Sequence, residues 1–300
     1  MSLTKCVTLE EEMKKNPELK MTDIEILKEW CEKQPHLPKI SDLQLAVMLH
    51  SNYYQIEPTK STIENYFTIR THAPEFLFSN RNLIIKELRT CKVTAHIIIG
   101  EKTKEGYTMM LSRLIDFEPS HYDIAKETNF GLMILEEHIY TQGLVPGYIS
   151  IIDVTGLSLG HLGRLHPMIV KTALTYVQNA FPLRLKAIHF LNSSPILQTI
   201  YNMFKSLINE ELMKLIHFHS SMESAKKYLP IDALPNECGG KAGPIEELRE
   251  VGVKKIEDFR EWFLEDERVG RVNESLRIGK SKTSNDLFGM DGSFKKLTID

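Results

Sequence analysis

Residues 181–197 read FPLRLKAIHFLNSSPIL, a cation-led apolar run that a turn divides from a second apolar segment. Arg184 and Lys186 stand two apart at the head of a nearly continuous apolar run, which halts at Asn192-Ser193-Ser194-Pro195. A continuous run bounded by turn residues reads as a buried strand. Beyond the turn, Ile196, Leu197, Ile200, Met203, Phe204, Leu207 and Ile208 fit a helix whose apolar surface is wider than the stripe of about 100° on an ordinary surface helix. Two readings follow for this segment: a core helix of an α/β sheet, or a helix that covers an apolar pocket and offers its other side to a membrane.

The same alternation extends outward. VTAHIIIG (93–100) and GYTMMLSRL (106–114) bracket the polar turn EKTKE, a hairpin signal. A long amphipathic helix over 122–140 ends at Gly143 and Pro146. It is followed by the strand GYISIIDVTG, the helix HPMIVKTALTYVQNAF with Pro167 in its first turn, the strand LRLKAIHFLN, the helix PILQTIYNMFKSLI and a further strand, ELMKLIHFHS. Strands alternating with helices predict a largely parallel sheet with covering helices, an α/β fold. Residues 8–70 read as helical. Thr8 is a candidate cap, Thr22 to Glu25 have capping-box spacing, and further helices start near Ser41 and Pro58. After LPNECGGKAGP the chain is charged and helical, and its last 20 residues, SKTSNDLFGMDGSFKKLTID, read as a loosely held tail. The expected organisation is a helical region over 1–88, an α/β domain over 89–245, and a charged helix with flexible tail over 246–300.

Composition narrows the function. Three hundred residues with 42% apolar content can bury a full core. Thirty-seven Lys and Arg against 40 Asp and Glu, a net charge of -3, argue against a polyanion-binding protein and against nucleic acid as a partner. Cys6, Cys31, Cys91 and Cys238 form no CxxC pair, which suits free thiols in a reducing compartment. No signal-peptide core opens the chain and no apolar stretch approaches about 18 residues, so a soluble cytoplasmic protein is expected.

Several chemical motifs compete with plainer explanations. Gly156-Leu157-Ser158-Leu159-Gly160 fits the G-x-S-x-G nucleophile elbow after a strand, but Pro167 sets the main helix some eight residues past the serine, which favours an ordinary loop serine. His217 and His219 share one strand face and His161 and His166 lie close in sequence, yet no carboxylate or cysteine stands at ligand spacing, so no metal is expected. No glycine-rich phosphate loop occurs, and no cofactor or catalytic residue is assigned. Glu136-Glu137 and Glu210-Glu211 read as solvated helix faces, and Cys238-Gly239-Gly240 as a structural turn.

Taken in order, LKEWCEKQPHLP (27–38), IIDVTGLS (151–158), FPLRLKAIHFLN (181–192) and ALPNECGG (233–240) resemble the CRAL-TRIO lipid-binding family, in its branch with the tocopherol and retinaldehyde carriers. The resemblance spans roughly residues 20–265. It implies an N-terminal helical region, a mixed and largely parallel sheet whose helices form a closed hydrophobic pocket, and a mobile gate helix over 195–208. It also implies that Gly156-Leu157-Ser158 is a post-strand turn in a non-hydrolytic protein.

Carried over residue by residue, the resemblance assigns the lipid pocket to Tyr148, Ser150 and Ile152 on one strand, Leu165 and Ala173 around the next helix, and Phe181, Leu183, Leu185 and Ile188 in the opening stretch. Ile196, Leu197, Ile200, Met203 and Phe204 come from the gate, with Ser150 orienting a polar ligand end. Arg184 and Lys186 resemble basic positions that meet a phosphoinositide headgroup in the tocopherol branch, and Lys205 and Lys214 stand near them in that role. The sequence departs from the pattern where Lys205-Ser206 replaces a lysine-proline pair and where Glu211 and Leu215 occupy two further basic positions. The implied partners are one hydrophobic lipid (a tocopherol, a retinoid or another isoprenoid) and an anionic membrane surface met transiently. The alternatives are a phosphoinositide-sensing adaptor and, less favoured, a serine lipid hydrolase.

Overall fold

The computed structural model describes residues 5–73 and 78–289. Helices α1 (Leu9–Lys15), α2 (Met21–Glu32), α3 (Asp42–Ser51) and α4 (Ile56–His72) form the N-terminal region. Thr8 with Glu11, and Ser41 with Gln44, form reciprocal capping boxes at the starts of α1 and α3. The expected box at Thr22 is not one: α2 begins at Met21 behind Lys20, so Thr22 and Glu25 lie inside the helix and its first turn has no side-chain cap. Helix α5 (Arg81–Glu87) leads into the sheet.

Five strands, β1 (Thr94–Ile98), β2 (Thr108–Leu114), β3 (Tyr148–Asp153), β4 (Leu185–Leu191) and β5 (Ile216–Phe218), lie side by side in chain order. The first pair is antiparallel, the predicted hairpin, and the other three pairs are parallel. Right-handed crossovers between parallel neighbours put their helices on one face. These are α6 (Ile124–Gln142), the short α7 (Leu159–Leu162) with α8 (Pro167–Asn179), and α9 (Pro195–Phe204) with α10 (Glu210–Lys214). The opposite face carries Ala95, Ile97, Met109, Leu111, Ile149, Ile151, Ala187 and Leu191, packed against Ala225, Leu229, Ile231, Leu234 and Cys238 of the returning chain, which includes α11 (Met222–Ala225). There Gly240 is required, since a Cβ would stand 1.9 Å from the Leu234 carbonyl oxygen.

The stretch 205–218 differs from its reading. The helix after Pro195 stops at Phe204 and tightens into a 3₁₀ turn at Lys205–Leu207. The segment ELMKLIHFHS is split: its first four residues belong to α10, because Asn209 caps that helix by accepting from the Leu212 N–H and acidic Glu210 and Glu211 occupy its first turn, leaving only three residues for β5. Nor is α9 apolar all round: Gln198, Thr199, Asn202 and Met203 are exposed.

Helices α12 (Ile245–Asp258), α13 (Arg260–Val269) and α14 (Ser284–Phe288) complete the fold. The tail is not loose as far as residue 289. Phe288 is buried in the core, the Ser284 hydroxyl donates to the His72 carbonyl at 2.8 Å, and Lys282 pairs with Glu64 at 2.9 Å. Residues 290–300 lie outside the described part. Glu136 and Glu137 do not form a solvated face either, being 2% and 4% exposed. Glu136 belongs to a buried network in which Arg81 lies 2.8 Å from Glu136 and 3.1 Å from Asp266, and Arg70 pairs with both acids. The network joins α4, α5, α6 and α13, and each charge is offset by an opposite one within bonding range.

Candidate binding cavity

The register of the sheet decides which side chains meet on the helix-covered face. One rung across it is His96, Ser112, Ile152, Phe190 and Phe218; the next is Ile98, Met110, Ser150, Ile188 and Ile216. Between these rungs and the helices lies a cavity of about 450 Å³, lined from α6, the approach to α8, α8 itself and α9 as well as from the strands. Its size falls among those that enclose small organic ligands.

Of the residues assigned from the sequence, Ser150, Ile152, Leu165, Leu197 and Ile200 line this space. Ile188 shares the rung of Ser150 and is half-buried, and Ile196 is half-buried on α9. Phe204 is buried at the far end of α9, whereas Met203 is 47% exposed and faces away. Tyr148 starts β3, with its hydroxyl 3.1 Å from His138 Nδ1, opposite Leu185 in the register. Phe181 belongs to the main core, and Ala173 and Leu183 pack against it. The cavity-lining residues that the sequence reading did not name are mostly on β1, β2 and α6: Thr94, His96, Met110, Ser112, Glu127 and Gly131. The available signal was the period-two polar alternation Thr94, His96 in an apolar strand.

The turn at Asn192-Ser193-Ser194-Pro195 is a tether. Asn192 adopts a left-handed conformation (φ 55°), and its side-chain amide donates to Asp153 Oδ1 at 2.8 Å and to Thr155 Oγ1 at 3.0 Å. Ser194 then caps α9 and Pro195 opens it. At the other end Gln178 of α8 bridges the break, donating to the Leu207 carbonyl at 3.1 Å and accepting from the Asn209 N–H at 2.7 Å. Against the sheet, Tyr201 of α9 meets Phe218 edge-on at 5.2 Å, and Phe218 stacks on Phe190 at 5.3 Å.

The cations lie differently from their expected freedom. Arg184 Nε donates to the His50 carbonyl at 2.6 Å and its guanidinium covers the Tyr53 ring at 4.4 Å; Lys186 Nζ lies 2.8 Å from the Tyr53 hydroxyl. Both thus join the sheet to the α3–α4 turn, while Lys205, Glu211 and Lys214 are exposed. Burial next to Arg184 and Lys186 pushes the His50 pKa down to about 3, burial coming first.

The main helix α8 starts at Pro167 as expected, but a four-residue helix that the sequence did not announce, α7, precedes it with Ser158 at its N-cap. The Ser158 backbone is nonetheless extended (φ −134°), not the strained turn of a nucleophile elbow, and its hydroxyl lies 2.9 Å from Nδ1 of the capping partner His161. On the closed face, His189 Nδ1 lies 2.9 Å from His219 Nε2 and His217 stacks on His189 at 4.9 Å. The rings stack rather than converge, and among the described residues no group of three ligating side chains is arranged to hold a metal. The free cysteines are spread across the fold: Cys91 is exposed and Cys238 is buried.

Known proteins match this arrangement. Residues 9–88, read from sequence as the N-terminal helical region, match the family described as Pinta-like, UBA domain. An alpha-tocopherol transfer protein-like protein of Mus musculus is 25% identical over 261 residues, spanning 85% of this chain and 76% of its own length. Clavesin-1 of Xenopus laevis is 29% identical over 128 residues, 42% of this chain and 38% of that protein. The crystal structure of Sfh5 shares the fold at 16% identity, with a TM-score of 0.50 over 87% of this chain and 99% of that one. Residues 92–240 match the CRAL/TRIO domain, and the chain belongs to the CRAL-TRIO family.

Proposed function

We propose that this protein is a non-enzymatic carrier that holds one hydrophobic lipid between the sheet and helices α6, α8 and α9, and exchanges it at membranes when α9 moves. The observation that carries this reading is the 450 Å³ cavity roofed by a ten-residue helix of which only Leu197 and Phe204 are buried. Such a roof has little apolar contact to lose on opening. The relative named as alpha-tocopherol transfer protein-like points to an elongated isoprenoid with a small polar end as the ligand class. No helix among the described residues is long and apolar enough to cross a membrane, so contact with the bilayer would be peripheral. On this reading the site residues are those that line the cavity together with Ile188, Ile196 and Phe204, and the carrier works in the cytoplasm.

Docking on an anionic surface would draw on exposed Lys205 and Lys214, each worth about 1 kcal/mol near such a surface. Arg184 and Lys186 would join only by giving up their tyrosine contacts. A phosphoinositide-sensing adaptor is the second reading; it would bind vesicles equally well with its cavity filled or blocked. Organic extraction of the purified protein followed by mass spectrometry tests the carrier: a stoichiometric lipid that exchanges between vesicles is expected. Recovery of no lipid, with no uptake from vesicles, rejects it. Labelling of Ser158 by a fluorophosphonate would revive the hydrolase.

A further inference from the structure

The cavity has a polar end that the carrier reading leaves unused. On β1 and β2 its floor carries Thr94, His96 and Ser112, and α6 sets Glu127 beside them; at the other end stand Phe190, Leu197 and Ile200. Glu127 is 7% exposed and His96 9%. One Glu127 carboxyl oxygen accepts from the Thr94 hydroxyl, and no other donor reaches that carboxyl among the described residues. His96 Nδ1 lies 2.9 Å from Ser112 Oγ, while Nε2 is buried without a hydrogen-bond partner, the main-chain carbonyl of Glu127 lying beside the ring. Gly131 makes room for this ring, since a Cβ there would meet it at 3.3 Å.

The nearby cations are engaged elsewhere. Arg249 donates to the Thr94 carbonyl at 2.8 Å and the Cys91 carbonyl at 3.2 Å, and Lys126 pairs with Glu87. Buried polar groups seek partners, and a largely buried acid with an open oxygen at an apolar cavity offers a place that a ligand hydroxyl can take in exchange for water.

We propose that Glu127, with Thr94, His96 and Ser112 around it, forms a subsite for the hydroxyl group of a neutral lipid alcohol. The inference rests on the carrier reading and names the end group of its ligand. A hydroxyl donates to the Glu127 carboxylate and accepts in return from Ser112, whose oxygen accepts from the His96 Nδ1–H, so it satisfies both kinds of group at once. An aldehyde has no proton to donate. A fatty-acid carboxylate would set a second negative charge beside a buried acid, and two such charges in one dry site force one of them to take up a proton. Burial raises the Glu127 pKa, and in its neutral form the carboxyl still exchanges hydrogen bonds with an alcohol.

The test offers the delipidated full-length protein vesicles containing equal amounts of hexadecan-1-ol, hexadecanal and hexadecanoic acid, and reads the bound species by native mass spectrometry. The alcohol complex is expected to exceed the acid complex by at least about tenfold. Glu127→Gln should bring the two within about threefold, chiefly by admitting more acid, while Glu223→Gln, on an exposed glutamate outside the cavity, leaves the preference intact. Equal loading of all three by the unaltered protein overturns the subsite and leaves the carrier standing. A preference that survives Glu127→Gln, or that responds equally to Glu223→Gln, overturns it as well. If no probe loads, the end group of lipid extracted from the protein as purified decides: an alcohol supports the subsite, an acid or an aldehyde overturns it, and the absence of any lipid overturns subsite and carrier together.

Discussion

Helices α6 and α9 line the same cavity and are held in opposite ways. α6 has 19 residues, twelve of them buried, and Glu136 anchors it in the ion network with Arg70, Arg81 and Asp266. α9 has ten residues with two buried, and its ends are tied by Asn192 and Gln178. A helix that buries most of its circumference cannot leave without exposing several apolar side chains, each worth about 1.5–3 kcal/mol. A helix resting on one face, with hydrogen bonds that water can replace, leaves for much less. One wall is anchored by burial and charge, and the other is held mainly by hydrogen bonds at its ends.

The largest break expected is in the fixed wall. Asp266→Ala leaves Arg70 and Arg81 buried with Glu136 alone between them, and should cost about 3–5 kcal/mol in chemical denaturation; a loss under about 1 kcal/mol would show that the network does not anchor α6. Acid should act next. Burial holds His189 and His138 down to about 4, His96 likewise, and His50 to about 3, so all are neutral in the fold. Above pH about 6.5 folded and unfolded chains bind the same protons at these sites. As pH falls from there towards 4 the unfolded chain takes protons that the fold refuses, so stability drops by up to about 1.4 kcal/mol per unit for each histidine. Melting temperature should therefore fall between pH 7 and pH 5, and fall less in His189→Phe; a flat profile would contradict the buried neutral rings.

Smaller effects on stability should accompany larger effects on transfer in the movable wall. Ile200→Asp puts a charge on the cavity side of α9 and should slow lipid transfer between vesicles by tenfold or so while the fold survives, since the residue is only half-buried. Unchanged transfer would remove α9 from the gating role. Gln178→Ala frees the C-terminal tether at a cost of about 1 kcal/mol or less and should speed exchange. If exchange slows instead, the tether assists the movement it was taken to restrain.

Comparing the two walls also shows what single-chain reading reaches. The hairpin, the parallel crossovers and the turn at Asn192 were legible because period-two alternation, turn residues and Pro195 are local signals. Five of the assigned pocket residues line the cavity, all from β3, the α8 approach and α9. The polar end escaped because Glu127 sits on a helix where a charged residue ordinarily faces water, and nothing local says that β1 lies beneath it. Glu136 was misread for the same reason, since its partners Arg81 and Asp266 come from distant parts of the chain.

Short-range signals in the chain settled the main run of strands and helices, the capped start of α9 and the near-balance of acidic and basic residues, because propensity, periodicity and capping act over a few residues. The packing of the folded chain settled which acids are buried, that Arg184 and Lys186 rest on Tyr53 instead of standing free, and where the floor of the cavity becomes polar. Burial and charge pairing depend on which surfaces meet across the sheet register, and that is a property of the folded packing, not of any short stretch of chain.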